Sequence, residues 1–158
     1  FKSCMKATAC FENNLKDRDD LLKDIASNNL PSVVFYKPAG AKNMHPGYAT
    51  LKDGDADVNE ITQTLMNSKS WANSVIIITY DENGGFWDHA APPIVDRWGP
   101  GTRIPSIIIS PYAKKSHVDH TQYETTSILK FIETRYDLKP LSQRDRKAND
   151  LLNTLEFK

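Results

Sequence analysis

Two short apolar runs constrain this chain more than any other feature. Val75, Ile76, Ile77, Ile78, Thr79 and Tyr80 form one, and Ser106, Ile107, Ile108, Ile109 and Ser110 form the other. Neither run alternates apolar with polar residues. Both therefore read as strands buried on two faces, the pattern of central strands in a parallel sheet. Ser32, Val33, Val34, Phe35 and Tyr36 add a third β-branched and aromatic run, which predicts another buried strand. Helical spacing fills the gaps. Leu21, Leu22, Ile25 and Ala26 follow a cap at Asp17 or Asp19, and Pro31 closes that segment. Asp57 with Glu60 three residues on reads as an N-cap ahead of Val58, Ile61, Leu65 and Met66. Thr125 or Thr126 opens a helix through Ile128, Leu129, Ile132 and Tyr136. Ser142 and Asp145 begin a last helix with Ala148, Leu151, Leu152 and Leu155. The order is helix, strand, helix, strand, strand, helix, helix. It predicts an α/β fold of three layers, with helices on both faces of a mostly parallel central sheet. Its crossovers should be right-handed, and functional groups should collect beyond the carboxyl ends of the strands. Residues 1–158 read as part of one catalytic domain: an irregular start over 1–16, a core over 17–140, and a C-terminal helix over 141–158.

Bulk properties exclude some functions. Lys plus Arg is 20 and Asp plus Glu is 20, so charge balance gives no reason to expect a nucleic acid or anionic-membrane partner. The longest apolar stretch, residues 75–78, is far too short to cross a bilayer. The chain opens Phe1-Lys2-Ser3-Cys4 rather than with Met and an apolar run. That start suggests a trimmed or partial chain and leaves export of the parent protein open. The two cysteines, Cys4 and Cys10, suit a small disulfide loop in an oxidising compartment, or two unrelated thiols.

The chemistry-bearing segment begins where the best strand ends. Asp81, Glu82, Asn83, Gly84, Gly85, Phe86, Trp87, Asp88 and His89 follow Tyr80 directly. Adjacent carboxylates at the end of a buried strand repel one another unless a cation lies between them. A divalent metal supplies that cation, because carboxylate oxygens suit hard or borderline ions. Gly84 and Gly85 permit a sharp turn and close approach of a ligand. His89 offers a further nitrogen ligand or a partner for a phosphate oxygen. The same residues also suit an ordinary acidic turn with aromatics packed beneath it.

Tyr80 to His89, followed by Pro92-Pro93, closely resembles the signature of bacterial phospholipase C and acid phosphatase enzymes, phosphoesterases of the alkaline-phosphatase superfamily. The resemblance extends through Gly99-Pro100-Gly101-Thr102-Arg103-Ile104-Pro105, Ile109-Ser110-Pro111-Tyr112, Val118-Asp119-His120-Thr121 and residues 127–133. Upstream, Leu30-Pro31-Ser32-Val33, Lys37-Pro38 and His45-Pro46 also fit. It covers roughly residues 20 to 140, and several ordered motifs are more specific than one. Asp96-Arg97-Trp98-Gly99 leans slightly towards the acid-phosphatase subgroup. The resemblance implies an alkaline-phosphatase-like fold, incomplete in this chain, and a metal-dependent attack of a hydroxyl nucleophile on a phosphate ester. It implies that Asp81 and Glu82 are ligands of a divalent metal of open identity. His45 would bind a phosphate oxygen or protonate the leaving group, and His89 would contact substrate. It also implies a phosphomonoester or phospholipid substrate, and a secreted or periplasmic location.

Other features carry less. Arg103 suits a structural brace better than a phosphate ligand, Lys114-Lys115 reads as a solvated turn, and His117 matches no family position. Asp53, Asp55 and Asp57 mimic a calcium loop, but Val58 stands where glycine is needed and Thr64 where glutamate is needed. Nothing before Phe35 resembles the family's nucleophile or its remaining metal ligands. The expectation is therefore a C-terminal portion that partners an N-terminal half of the same protein and is inactive alone. The competing expectation is a non-catalytic binding or structural module that retains the fold.

Overall fold

A computed structural model describes residues 9–157. The chain divides into two compact units, Phe1–Ser74 and Val75–Lys158.

The first unit is helical. Helix α1 spans Ala9–Asn14, in a stretch expected to be irregular. Helix α2, Arg18–Ser27, starts as expected: the Asp17 side chain accepts the N–H of Asp20. It ends on Asn28 in the left-handed conformation, and its buried residue is Ile25. Helix α3, Leu51–Met66, begins six residues before the cap expected at Asp57. Thr50 is the true cap. Its hydroxyl accepts the Asp53 N–H at 3.0 Å and donates to the Asp53 carboxylate at 2.7 Å. Asp57 lies inside the helix and is buried, 1% exposed. The acidic, glycine-containing segment looked like a turn because Gly54 is a poor helix former. Short 3-10 turns at Gly40–Lys42 and Lys69–Asn73 complete the unit.

The run at 32–36, expected to be a buried strand, forms none: Ser32 lies in a bend and residues 33–36 have no regular secondary structure. Val33, Val34 and Phe35 are exposed. β propensity measures fit to a neighbouring pleated surface, and it builds no ladder without one.

In the second unit, strand β1 (Ile76–Thr79) pairs with β2 (Ser106–Ile109). The pairing is antiparallel, with Ile76 opposite Ile109 and Thr79 opposite Ser106. The parallel relation expected for these two strands does not hold. Residues 80–105 between them contain no helix, and a parallel pair needs a crossover connection that is usually helical. Helix α4, Thr125–Tyr136, lies where the periodicity placed it. Glu124 and Ser127 form its capping box, and Asp137 ends it in the left-handed conformation.

The expected C-terminal helix is short. Helix α5 covers Gln143–Lys147, and a 3-10 turn follows at Leu152–Thr154. The Asp150 carboxylate takes the Leu152 N–H at 3.1 Å, the local bond by which aspartate competes with helix. Leu151 and Leu155 then turn inward as buried apolar residues, and Ala113 bridges to Leu155. Three polar residues of this unit are buried too: Ser127, Glu133 and Asp145. Glu133 is held above its usual carboxyl range by burial and by the Asp145 carboxylate. Asp145 titrates at about 2, because the Ser142 hydroxyl, Glu133 and the Leu141 N–H outweigh the effect of its burial.

Candidate functional site

The loop leaving β1 is shaped by its own side chains. Glu82 Oε2 accepts the Gly84 N–H at 2.7 Å, and Asn83 Oδ1 accepts the Gly85 N–H at 3.1 Å. Asn83 Nδ2 donates to the Phe86 carbonyl at 2.9 Å, closing the turn. Gly84 (φ 64°) and Gly85 (φ 79°) both adopt left-handed backbone, which side-chain-bearing residues rarely do. Asp81 and Glu82 follow one another just beyond the carboxyl end of β1, and both are exposed to solvent.

A clamp holds the far side of this loop. Arg103 donates from Nε to Asp88 Oδ2 at 2.9 Å and from Nη2 to Oδ1 at 2.8 Å. The Arg103 backbone N–H adds a bond to Oδ2 at 3.1 Å, and the Ala90 N–H reaches Oδ1 at 3.0 Å. The guanidinium first, and the Ala90 N–H second, hold the Asp88 carboxyl well below its usual range. This two-pronged geometry suits arginine and would be lost with lysine. Arg103 is thus the loop brace that the sequence suggested. Asp88 was not singled out by sequence reasoning, although its place between the aromatic pair and His89 was visible. His89 is exposed, with Nδ1 3.9 Å from Asp88 Oδ1 and its ring 6.3 Å from that of Trp87.

Downstream, His117 and His120 are both exposed. Asp119 between them accepts the Thr121 N–H and the Tyr123 hydroxyl, each at 2.8 Å. The bonds from Thr121 lead in lowering its pKa to about 2.

His45 belongs to the first unit, where several contacts define its position. Asn43 Oδ1 accepts the His45 N–H at 2.9 Å, and the ring stacks on Tyr48 with centroids 4.6 Å apart. His45 Nδ1 lies 2.8 Å from the Pro46 carbonyl oxygen. A carbonyl only accepts, so the proton of neutral His45 sits on Nδ1 and Nε2 carries the lone pair. The turn bearing His45 rests on α3 at Gly54, where a Cβ would come within 2.8 Å of the Lys42 carbonyl and 2.2 Å of Met44 Cγ.

Beneath that turn lies the most densely bonded carboxylate of the first unit. Asp57 Oδ1 receives Arg18 Nε at 3.0 Å and Lys42 Nζ at 2.9 Å, and Oδ2 receives the Tyr36 hydroxyl at 2.5 Å. Arg18 also reaches Glu60 at 2.6 Å. Burial alone would raise the Asp57 pKa, but these donors outweigh it and hold it below its usual value. Burial, then the Asp57 charge, pushes the Tyr36 hydroxyl up to about 12. In the sequence Asp57 reads as a helix cap and as a false calcium ligand. Neither reading points to an ionic hub, which joins residues far apart in the chain.

Asp81, Glu82 and His89 thus share one loop, and His45 sits in the other unit. Among the described residues, no three His, Cys, Asp or Glu side chains are grouped closely enough to hold a metal by themselves. Two neighbouring carboxylates are nonetheless suitable oxygen donors for a hard divalent ion. Cys10 is disulfide-bonded, while Cys4 lies outside the described residues.

Comparison with known proteins identifies the wider context. The chain is 28% identical over 165 residues to phospholipase C B of Mycobacterium tuberculosis, covering 87% of this chain and 32% of that protein. It is 32% identical over 142 residues to the hemolytic phospholipase C of Pseudomonas aeruginosa, covering 75% of this chain and 19% of that one. It is 30% identical over 156 residues to the non-specific phospholipase C6 of Arabidopsis thaliana, covering 78% and 30% respectively. The chain therefore spans about a third or less of the length of these relatives. The model of the phosphoesterase family matches residues 2–139, and the chain belongs to that family.

Proposed function

We propose that these residues are the C-terminal portion of a metal-dependent phosphoesterase that hydrolyses phosphate esters, of the phospholipase C or acid phosphatase type. The observation that carries the reading is the position of the neighbouring, exposed Asp81 and Glu82 in a glycine-shaped loop at the end of β1. It falls inside the segment matched by the family, whose relatives here are named phospholipases C.

Asp81 and Glu82 would hold a divalent metal through carboxylate oxygens. Bound there, such an ion supplies charge stabilisation for a phosphoryl group and its attacking oxygen. Glu82 keeps its carboxylate oriented through Oε2, which the Gly84 N–H holds. His45, with its proton fixed on Nδ1 by Pro46, keeps Nε2 available to bind a phosphate oxygen or exchange a proton with the leaving group. The exposed ring of His89 is a weaker candidate for substrate contact. The nucleophile and the remaining metal ligands belong to an N-terminal half of the same protein. That half would complete a three-layer, alkaline-phosphatase-like sheet around β1. The disulfide at Cys10 suits a secreted or periplasmic protein. No helix among the described residues is long and apolar enough to cross a membrane.

The test is hydrolysis of a chromogenic phosphomonoester and a chromogenic phosphodiester by the full-length protein. Asp81→Ala and Glu82→Ala should each remove at least about two orders of magnitude from kcat/KM, as loss of an electrostatic catalytic contact commonly does. The 158-residue chain alone should hydrolyse neither substrate. Unchanged rates in both variants would overturn the reading and favour a non-catalytic module.

A further inference from the structure

The turn that carries His45 meets the helical scaffold at the Gly54 notch and through Lys42. Its 3-10 segment, Gly40–Lys42, precedes His45 by three residues, and its backbone sits on the Gly54 notch of α3. The one side chain of this segment that reaches a buried partner is Lys42, whose Nζ meets Asp57 Oδ1 at 2.9 Å. Beside this ion pair lies a solvent-open depression lined by Ala41, Lys42, Asp53, Ala56, Asp57 and Glu60. The backbone of the turn packs on Gly54, and on the side of the depression the ion pair adds the restraint.

The Asp57 carboxylate is itself immobile. Its side chain is fully buried inside α3, and Arg18 and Tyr36 hold it independently of Lys42. It therefore gives Lys42 a fixed anchor. Lys42 is partly exposed, 44% at the side chain, while Asp57 is buried. The pair thus joins the surface turn to a buried point of α3. It sets where the main chain leaves Lys42, hence where Asn43 caps the His45 N–H and where the ring meets Tyr48.

We propose that the Lys42–Asp57 ion pair is a positioning device for the His45 imidazole, holding the turn in which the Pro46 carbonyl keeps the ring Nδ1-protonated and Nε2-open. The proposal rests on the reading of His45 as the phosphate-facing acid or base, and it assigns Lys42 and Asp57 no contact with substrate.

The experiment uses the full-length protein and four variants. Lys42→Met removes only the tether, leaving Arg18 and Tyr36 on Asp57. Lys42→Arg restores a cation. Tyr36→Phe weakens the hub without cutting the tether. His45→Asn tests the underlying reading. Histidine nitrogen shifts report the tautomer of His45, and steady-state kinetics separate kcat from KM. The expected result for Lys42→Met is a mixed His45 tautomer and a kcat lowered by about tenfold to a hundredfold, the cost of a misplaced catalytic group. KM should change by less than about threefold, because a positioning loss falls mainly on kcat. Lys42→Arg should recover most of both signals. Tyr36→Phe should lower thermal stability while leaving the His45 shifts as in the wild type. If His45→Asn abolishes turnover but Lys42→Met changes neither tautomer nor kcat, the positioning role is overturned and the catalytic reading stands. If Lys42→Met merely lowers stability in parallel with Tyr36→Phe, with normal His45 shifts, the role is likewise overturned. If His45→Asn leaves turnover intact, the catalytic reading fails, whatever Lys42 does to the ring.

Discussion

Gly54→Ala inverts an ordinary rule, and the inversion can be measured. Within a helix, replacing glycine by alanine normally stabilises by about 1 kcal/mol. Gly54 lies inside α3 and is buried. A Cβ there would stand 2.8 Å from the Lys42 carbonyl oxygen, 2.2 Å from Met44 Cγ and 2.8 Å from Met44 Cε, where ordinary contact begins near 3.4 Å. Met44 Cε is the end of a flexible side chain and can swing away. Met44 Cγ lies closer to the backbone, and the Lys42 oxygen is backbone, so the whole turn must withdraw. Overpacking of this kind costs about 1–3 kcal/mol. Set against the propensity gain, the net change should run from about zero to 2 kcal/mol of destabilisation. For a chain of this size that is a fall of up to about 8 °C in Tm. Urea unfolding of wild type and Gly54→Ala, with the slope checked for constancy, gives the difference directly. A stabilisation of about 1 kcal/mol would show that the turn does not rest on Gly54 and would refute the packing argument.

The buried carboxyl pair of the second unit gives two predictions of opposite sign. Glu133 has a folded-state pKa raised above its ordinary 4.5. The folded protein keeps a proton that the unfolded chain releases, so this residue lowers stability as pH rises above 4.5. Glu133→Gln removes that penalty, and its stability relative to wild type should climb as pH rises above 4.5. A difference independent of pH in urea titrations would contradict the assignment. Asp145, held at about 2 against an ordinary 3.8, contributes stability above 3.8 that fades as pH falls towards 2. The deficit of Asp145→Asn should therefore shrink across that acid window and stay constant at neutral pH. Tyr36→Phe should remove from the ultraviolet titration a tyrosine ionising near 12. It should also cost about 1–2 kcal/mol, a charge-assisted bond discounted for partial exposure. An unchanged titration curve would place the high-pKa hydroxyl elsewhere.

The loop that carries the candidate carboxylates was legible because it is local. The Asp81 to His89 motif lies at the end of a strand that its own isoleucines define, and its glycines adopt the backbone that their lack of a side chain permits. Helices α2 and α4 were legible for the same reason, each having its cap beside its apolar stripe. What was not legible depends on contacts between distant residues. The start of α3 was hidden because Gly54 and its acidic neighbours look like a turn until Lys42 and Met44 are seen resting on the glycine. The run at 32–36 looked like a strand because side-chain type reports preference, whereas a ladder needs a partner edge. The antiparallel pairing of β1 and β2 could have been inferred from the absence of helical spacing over 80–105, a cue outweighed by the unbroken apolar runs. The Asp57 hub gathers Arg18, Tyr36 and Lys42 from three separate segments, and no spacing in the sequence records that convergence.

The reading depends on a cation held by Asp81 and Glu82, and the divalent metal content of the purified full-length protein tests it most directly. Elemental analysis should find a stoichiometric divalent ion in the wild type and a large loss in the Asp81→Ala/Glu82→Ala double variant, with folding confirmed by circular dichroism. Equal metal content in the two folded proteins would mean that the carboxylates at the end of β1 hold no ion, and the proposed phosphoesterase site would be in the wrong place.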